Sequence, residues 1–268
     1  MDNCVAAAGL QAEHGLALWI EHGAQRLLFD TGPSALLIAN ARRLQRDLTT
    51  VAAIILSHGH YDHGGGLAEV LAVAGDPAIY AHPQAWLPKY RRISGAPSRA
   101  IGIPPSCCAA AQQRRRHNIS TPTAIAPGVF LTGEIPRSHP QEQAEKDFCL
   151  DEHGRCQDHF KDDQALYIPT RRGTLVVLGC AHAGLINTLS YIHRLTEAAP
   201  FYAVIGGMHL HAATPERIAW TVQALRQFTI ERLCPLHCTG IKATAALWNA
   251  FPEHCLPGGV GCTLKFIP

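Results

Sequence analysis

The chain has 268 residues, of which 47% are hydrophobic and 16% charged, so it carries enough apolar material for a sizeable core and does not resemble a disordered chain. The formal charge is only +2, and acids and bases are spread along the sequence, which argues against a nucleic-acid-binding face. No apolar run reaches the roughly 20 residues that a membrane helix needs, so we expect no membrane partner.

The amino-terminal stretch MDNCVAAAGLQAEHG carries an acid early and lacks a basic region, which is not typical of a signal peptide. We therefore expect a cytoplasmic protein whose ten cysteines are buried apolar residues or free thiols rather than disulfides. Cys234 and Cys238 flank His237, but we find no second pair at the spacing that would complete a zinc knuckle.

The first half of the chain alternates short apolar runs with helical patterns. LALWIEHGAQRLLFD predicts strand, turn and strand, and residues 35–46 follow as a predicted helix. VAAIILS predicts a strand that is buried on both faces, and GLAEVLAV predicts the helix after it. From about 87 to 123 the periodicity is lost, so we predict a loop-rich insertion there and a candidate lid, within a single domain spanning residues 1–268.

The second half repeats a plan of buried strand, histidine-bearing loop, glycine and helix. TLVVLGCAHAGLINTLSYI follows the same plan as AAIILSHGHYDHGGGLAEVL, and FYAVIGGMHL and ERLCPLHCTG are two more predicted strands that end in a histidine. CTLKFIP is predicted as a closing strand. Because an α/β sheet places its active site at the carboxyl ends of its strands, these histidines predict a site at that edge.

The stretch LSHGHYDHGGG crowds three histidines and an aspartate into positions 58 to 63, which the content of 16 histidines in 268 residues does not explain. Neutral imidazole is the commonest metal ligand in proteins. His58 and His60, two residues apart at a strand end, can project the same way and form a first ligand pair. Asp62 and His63 follow after a turn and form a second pair, so one segment can serve two adjacent metals.

Two ligands are too few for a catalytic zinc, which usually has three protein ligands and one open position. His182 in GCAH is the predicted third ligand for the first pair, and His237 in PLHCTG is the predicted third ligand for the second. A single histidine at a strand end also fits a structural role, but the shared placement after buried strands favours ligation. We expect one or two Zn²⁺ ions, with Mn²⁺ or Fe²⁺ as alternatives.

Taken in chain order, the candidate ligands resemble the motif of the metallo-β-lactamase superfamily: His58, His60, Asp62, His63, His182 and His237. The resemblance implies a fold of the α/β (α+β) class, a four-layer αββα sandwich of two mixed β-sheets flanked by helices, with metals at one edge. LLFDTGPS, LTGEIPR, GCAHAGLIN and PLHCTG are similar to one branch of that superfamily. The branch is named for 7,8-dihydropterin-6-ylmethyl-4-(β-D-ribofuranosyl)aminobenzene 5′-phosphate synthase, which resembles dihydropteroate synthase in its reaction, and many of its bacterial members are called metal-dependent hydrolases.

The chain departs from the superfamily pattern at two places. Many members carry an aspartate that bridges the metals, but the corresponding strand here ends in VIGGMHL, with Gly206 and Gly207 where the acid is expected. His209 lies nearby, and the roles of metal ligand and of core residue both stay open for it. The chain also begins with MDNCV where the family usually has a complete first strand, so either the sheet lacks an edge or the initiator lies upstream. The resemblance further implies that Asp30 orients a ligand histidine, with a turn cap as the alternative.

The first functional hypothesis is hydrolysis of an ester- or phosphate-type small-molecule substrate. Zinc lowers the pKa of bound water from 15.7 to about 7, which yields a metal-bound hydroxide at neutral pH. Asp62 is then the predicted catalytic residue, since it ligates the second metal and accepts a proton or hydrogen bond from the attacking water.

The second hypothesis is transfer, in which a pterin diphosphate is joined to an arylamine with release of diphosphate. Asp162, Asp163 and Arg114 are candidate substrate-binding residues for that reaction, although turn residues and solvated charges are the simpler interpretation. A third hypothesis is a metal-binding protein without activity. The sequence leaves the substrate and the oligomeric state open.

Overall fold

The computed structural model describes residues 1–267 and contains fourteen strands and seven α-helices within them. The strands are β1 (Leu18–His22), β2 (Gln25–Phe29), β3 (Ala53–Ile55), β4 (Ala78–Ala81), β5 (Tyr90–Ile93), β6 (Ala96–Ala100), β7 (Arg116–Asn118), β8 (Thr123–Ala126), β9 (Val129–Leu131), β10 (Phe148–Cys149), β11 (Leu166–Thr170), β12 (Gly173–Leu178), β13 (Phe201–Gly207) and β14 (Ile230–Leu236). The helices are α1 (Leu36–Arg43), α2 (Tyr61–Gly64), α3 (Leu67–Val73), α4 (Pro105–Gln112), α5 (Leu185–Leu195), α6 (Pro215–Leu225) and α7 (Ile241–Ala250).

The strands form two large mixed sheets and one small sheet. The first large sheet has the order β1-β2-β3-β4-β7, with an antiparallel β1–β2 hairpin and parallel pairing from β2 onward. The second has the order β14-β13-β12-β11-β9-β8, in which β12, β13 and β14 are parallel and the others antiparallel. A three-stranded antiparallel sheet, β10-β5-β6, lies apart from both.

Alternation of side chains along the strands produces four layers. Phe29 and Ile55 of the first sheet share a buried cluster with Leu166 and Val177 of the second, so these residues form the core between the sheets. Ile54 points to the opposite face and packs with α1, α3 and α4. The outer face of the second sheet is covered in the same way by α5, α6 and α7. This is the αββα sandwich that the family resemblance implied.

Two segments differ from the sequence-based expectation. Residues 87–123, predicted to be loop-rich, contain β5, β6, α4, β7 and the start of β8. The strands there are short and largely exposed, so they lack the alternation of apolar residues that reveals a buried strand. CTLKFIP is not a strand over residues 262–267; instead, Val260 just before it forms a single parallel bridge with Val5. The predicted closing strand is therefore wrong for the described residues.

None of the helices among residues 1–267 combines the length and the apolar character needed to cross a bilayer.

Replacing Ile54 with alanine is expected to lower the free energy of unfolding by about 2–5 kcal/mol, because its fully buried side chain joins the first sheet to the helices outside it. Urea unfolding followed by circular dichroism measures the change. Ile241→Ala is the control, since that side chain is 90% exposed and its loss should change stability by less than about 0.5 kcal/mol. Equal destabilisation by the two substitutions would contradict the assigned packing.

Candidate metal centre

The carboxyl ends of parallel strands from both large sheets meet at one edge of the sandwich. Residues of the site or its support lie within four positions after the end of β2, β3, β12, β13 and β14, because parallel strands in one sheet end on the same side. In chain order these residues are Asp30 after β2, His58 after β3, Cys180 and His182 after β12, His209 after β13 and His237 after β14.

The first predicted ligand set converges. One ring nitrogen from each of His58, His60 and His182 lies within 4.8 Å of the others, and His58 Nε2 is 3.0 Å from His60 Nδ1. All three rings are buried, and within residues 1–267 neither His60 Nε2 nor His182 Nε2 has a hydrogen-bond partner. Burial lowers the pKa of His60 to about 3 and holds the pKa of His58 and His182 well below the usual range. These are neutral imidazoles with unsatisfied nitrogen atoms, which fits a divalent cation.

The second predicted set also comes together. Asp62 Oδ2 lies 3.5 Å from His237 Nε2 and 4.0 Å from His63 Nε2, and the two Nε2 atoms are 3.2 Å apart. Burial opposes ionisation of Asp62, but the neighbouring His63 and His14 outweigh it and hold the pKa of this carboxyl well below its usual range. The set therefore offers one carboxylate and two imidazoles.

Asp30 fixes the orientation of His63 through a contact on the Nδ1 side of the ring. Its Oδ2 lies 2.6 Å from His63 Nδ1, and its carboxylate also accepts hydrogen bonds from the backbone N–H and the hydroxyl of Ser57. The side chains of Asp30 and His63 are both fully buried. Burial opposes protonation of His63, but Asp30 and Asp62 raise its pKa to about 9. The metal-free ring is therefore protonated on both nitrogens near neutral pH. Asp30 holds the proton on Nδ1, so a metal at the cluster would displace the proton on Nε2, as expected for a ligand histidine oriented by a carboxylate.

Sequence reasoning assigned no place in the metal site to three residues of this cluster. Cys180 Sγ lies 3.1 Å from His63 Nε2, and Cys238 Sγ lies in one ligand group with Cys180 and His237. His14 Nε2 is 3.3 Å from Asp62 Oδ2, although its side chain is 62% exposed. Cys180 stands two residues before His182 in GCAH, and Cys238 directly follows His237 in PLHC. Their closeness in sequence to predicted ligands was the signal that could have identified them.

His209 lies beside the first set but also has a carboxylate partner. Its Nε2 is 2.8 Å from Glu145 Oε1, and its ring centroid is 4.1 Å from that of His182. Burial opposes its protonation, but Cys238 and Glu145 raise the pKa of His209 to about 10. It belongs to a ligand group with Cys180 and His182, so the ligand role remains a prediction.

The three candidate substrate-binding residues are placed differently from the expectation. Asp162 and Asp163 are buried, and each accepts a backbone hydrogen bond: Asp162 from Gly59 and Asp163 from Ala183, both at 2.8 Å. They therefore support the loops that carry the histidines rather than face a substrate. Arg114 donates to the carbonyl group of Leu71 in the last turn of α3 and to that of Gly75 just after the helix, away from the cluster. These polar positions were visible in sequence, but their burial and partners were not.

The backbone around the cluster is strained at several points. Of the eight non-glycine residues with positive φ among residues 1–267, five lie at or beside the cluster, with φ between 47° and 61°: Asp30, Phe160, Ala181, His209 and His237. This region is unfavourable in free energy for residues that have a Cβ atom, so such residues occupy it only where surrounding contacts hold them there. Strain therefore concentrates where the strand ends present their polar side chains.

A buried ion triad lies under the loop of the first ligand pair. Lys89 Nζ is 2.6 Å from Asp158 Oδ2 and 2.9 Å from Asp162 Oδ1, and all three side chains are at most 1% exposed. Burial opposes both charges, but Asp162 raises the pKa of Lys89 and Lys89 lowers that of Asp162. Asp162 in turn holds Gly59, so the triad fixes the residue between His58 and His60.

Comparison with known proteins gives consistent matches. A family model described as the metallo-beta-lactamase superfamily matches residues 11–155. The 7,8-dihydropterin-6-methyl-4-(beta-D-ribofuranosyl)-aminobenzene-5'-phosphate synthase of Methanocaldococcus jannaschii is 30% identical, over 95% of this chain and 90% of that protein. The crystal structure of a metal-dependent hydrolase of the beta-lactamase superfamily matches with a TM-score of 0.84 and 28% identity, over 99% of this chain and 96% of that one. Zn²⁺-bound PqqB from Methylobacterium extorquens shares the fold, with a TM-score of 0.57 and 15% identity, over 93% and 86% of the two chains.

Replacing His182 with alanine is expected to weaken metal binding by more than about tenfold, the lower bound for residues that merely orient a ligand. Elemental analysis after dialysis against a weak chelator measures the metal content. His254→Ala is the matched control, because His254 lies against the start of β14, at the end of the strand opposite the cluster. Retention of full metal content by the His182 variant would refute its assignment as a ligand.

Replacing Lys89 with methionine is expected to destabilise the protein by about 3–5 kcal/mol, since it leaves two buried carboxylates without their cation. Because the pKa of Asp162 is lowered, its pairing stabilises the fold above the ordinary carboxyl pKa of 3.8 and is lost as the pH falls below it. Because the pKa of Lys89 is raised, its share is present below its ordinary pKa of 10.5 and is lost at higher pH.

Urea unfolding at several pH values between about 3 and 11 tests this expectation. The exposed Lys242→Met is the control, and it should leave stability unchanged within about 0.5 kcal/mol at every pH. Equal stability of the Lys89 variant and the parent near neutral pH would show that the triad contributes nothing.

Proposed function

The chain belongs to the metallo-β-lactamase superfamily, and on that basis we propose that it is a metal-dependent enzyme that hydrolyses an ester- or phosphate-type bond in a small molecule. The observation that carries the proposal is the pair of buried ligand sets at one edge of the sandwich, in the first of which His60 Nε2 and His182 Nε2 lack protein partners within residues 1–267. A structural role alone does not account for so many desolvated imidazoles facing one another.

Each ligand set has the composition that a catalytic metal requires. The first supplies three neutral imidazoles, and the second supplies two imidazoles and a carboxylate, so each leaves a position for substrate or water. When bound, the metal supplies Lewis acidity that polarises the attacked group and stabilises the negative charge developing on it. We propose zinc for this site because imidazole is a preferred ligand for it.

Asp62 and His14 form the proposed proton path. Asp62 is the partly accessible carboxylate of the cluster, with 11% of its side chain exposed, and its Oδ2 can accept the proton of the attacking water. His14 Nε2, 3.3 Å away, connects that oxygen to solvent because 62% of its side chain is exposed. A proton received at Asp62 Oδ2 can thus pass to His14 Nε2 and leave the site.

Aromatic rings close the other side of the first ligand set. Phe160 stacks on His182 with ring centroids 4.3 Å apart and an interplanar angle of 2°, and Phe148 of the small sheet stacks on His60 at 5.6 Å. These contacts fix the imidazole planes and exclude water from behind them. We therefore propose that the small sheet covers the site. It consists of β5 and β6, which lie within residues 87–123, and of β10.

A second candidate reaction is the transfer of a pterin methylene to an arylamine, with formation of a carbon–nitrogen bond and release of diphosphate. The specific observation in its favour is the 30% identity to the Methanocaldococcus jannaschii synthase, which extends over 95% of the chain. The small sheet also places two guanidinium groups over aromatic rings: Arg91 lies over Phe148, which stacks on His60, and Arg99 lies over Tyr61, each 5.6 Å from the ring centroid. Guanidinium groups suit the phosphate oxygens of such substrates.

An activity assay of the metal-loaded protein separates the two reactions. Turnover of a phosphodiester, lactone or thioester with water as the only partner supports hydrolysis. Release of diphosphate that requires both a pterin diphosphate and an aminobenzene ribosyl phosphate supports transfer. For either reaction, His60→Ala and Asp62→Asn should lower turnover by at least about 100-fold, because each removes a ligand or the proton acceptor.

Arg114→Ala is the matched control for the assay, since Arg114 lies away from the cluster and should leave turnover unchanged. If His60→Ala kept both its metal and its turnover, the proposed function would be wrong.

A further inference from the structure

The end of β13 has no room for the acid that many superfamily members carry there. A Cβ atom added to Gly207 would collide with the carbonyl oxygen of Gly179 and would lie 2.6 Å from Cys238 Sγ. An aspartate at this position would therefore require both groups to move. Within the two ligand sets, Asp62 is then the single anionic side chain available for two divalent cations.

Cys180 lies where a bridging group is needed. Its Sγ is 3.1 Å from His63 Nε2 and falls within 4.8 Å of ligand atoms from both predicted sets. It shares one such group with His58 and His63, a second with His182 and His209, and a third with His237 and Cys238. No other residue belongs to three of the five ligand groups found within residues 1–267. Its side chain is buried, with the residue 3% exposed, and it points into the middle of the cluster.

Cys238 has a more lateral position. It belongs to one ligand group, with Cys180 and His237, and its Sγ donates a weak hydrogen bond to the carbonyl oxygen of Cys180 at 3.6 Å. It fills the space next to Gly207. The geometry therefore distinguishes the two thiols, since Cys180 faces both ligand sets and Cys238 faces one.

We propose that the thiolate of Cys180 bridges the two metal positions and replaces the missing carboxylate. This inference rests on the proposed metal-dependent function. Metal binding displaces the thiol proton to solvent, with no change in oxidation state, because the thiolate is the form that ligates. A sulfur bridge favours zinc over manganese, since thiolate is a softer ligand than carboxylate.

The test is cobalt substitution of the metal-free protein, followed by absorption spectroscopy and metal counting. The parent should bind two Co²⁺ ions per chain and show a near-ultraviolet sulfur-to-cobalt charge-transfer band. Cys180→Ser should lose the band and bind the second ion at least about tenfold more weakly. Cys255→Ser is the matched control, because that buried cysteine packs in the outer core near β14, and its replacement should leave the band and stoichiometry unchanged.

Cys180→Asp is a second variant that separates loss of the bridging ligand from misfolding. Its carboxylate should restore two bound ions without the band and shift the preference from zinc toward manganese. Circular dichroism verifies that each variant is folded.

Three results would overturn the proposal. Two bound ions without a band in the parent would exclude a thiolate ligand while leaving the proposed function intact. A band that survives in Cys180→Ser but disappears in Cys238→Ser would assign the ligand to Cys238. A parent that binds no metal at all would overturn the proposed function together with the bridge.

Discussion

Burial of imidazoles that face one another is the constraint on which the rest of this structure depends. His58, His60 and His182 are removed from water, and two of their nitrogen atoms have no protein partner within residues 1–267. An unpaired polar group in such a place costs free energy unless something binds it, and a divalent cation is the partner that neutral imidazoles suit. The surrounding fold supplies the packing and hydrogen bonds that keep these rings in place.

Two kinds of interaction support the cluster: buried charged side chains that hold its loops and histidines, and the backbone conformation of residues that follow the strands. The Lys89 triad fixes the loop between the first two histidines through Asp162, and Asp30 fixes His63. Ala181 and His237 have left-handed backbone conformations, which turn the chain sharply just after the ends of β12 and β14. Backbone strain and buried charge destabilise the fold. The apolar clusters between the two sheets, and between each sheet and its outer helices, offset this cost. This division of roles is typical of a scaffold that holds a preorganised site.

Hydrolysis and transfer make similar demands on this centre. Both need a cation that stabilises the leaving or attacked group and a carboxylate that accepts and releases protons. In the proposed function Asp62 meets the second need together with His14, whose Nε2 lies 3.3 Å away. What separates them is the second substrate, and we propose that the small sheet, with Arg91 and Arg99, selects it. A sulfur atom in place of a carboxylate between the metals would bias the centre toward softer cations. Substrate choice and metal choice would thus be set by different parts of the fold.

The sequence by itself determined the histidine-rich motif at residues 58–63 and the buried strands that end near His182 and His237, because these are local patterns. The family resemblance that those residues carry implied the sandwich. The sequence also indicated Asp30, through a strand that ends in Asp-Thr-Gly and a family resemblance. Only the tertiary structure decided that Cys180 lies between the sets, that His14 reaches Asp62, and that Asp162 and Asp163 are buried supports. Those facts depend on contacts between residues far apart in the chain, and residue type and spacing carry no record of which distant side chain will meet which. Burial, in particular, is a property of the packed layers, so a polar pair such as Asp162 and Asp163 has the same appearance in sequence whether it faces solvent or the core.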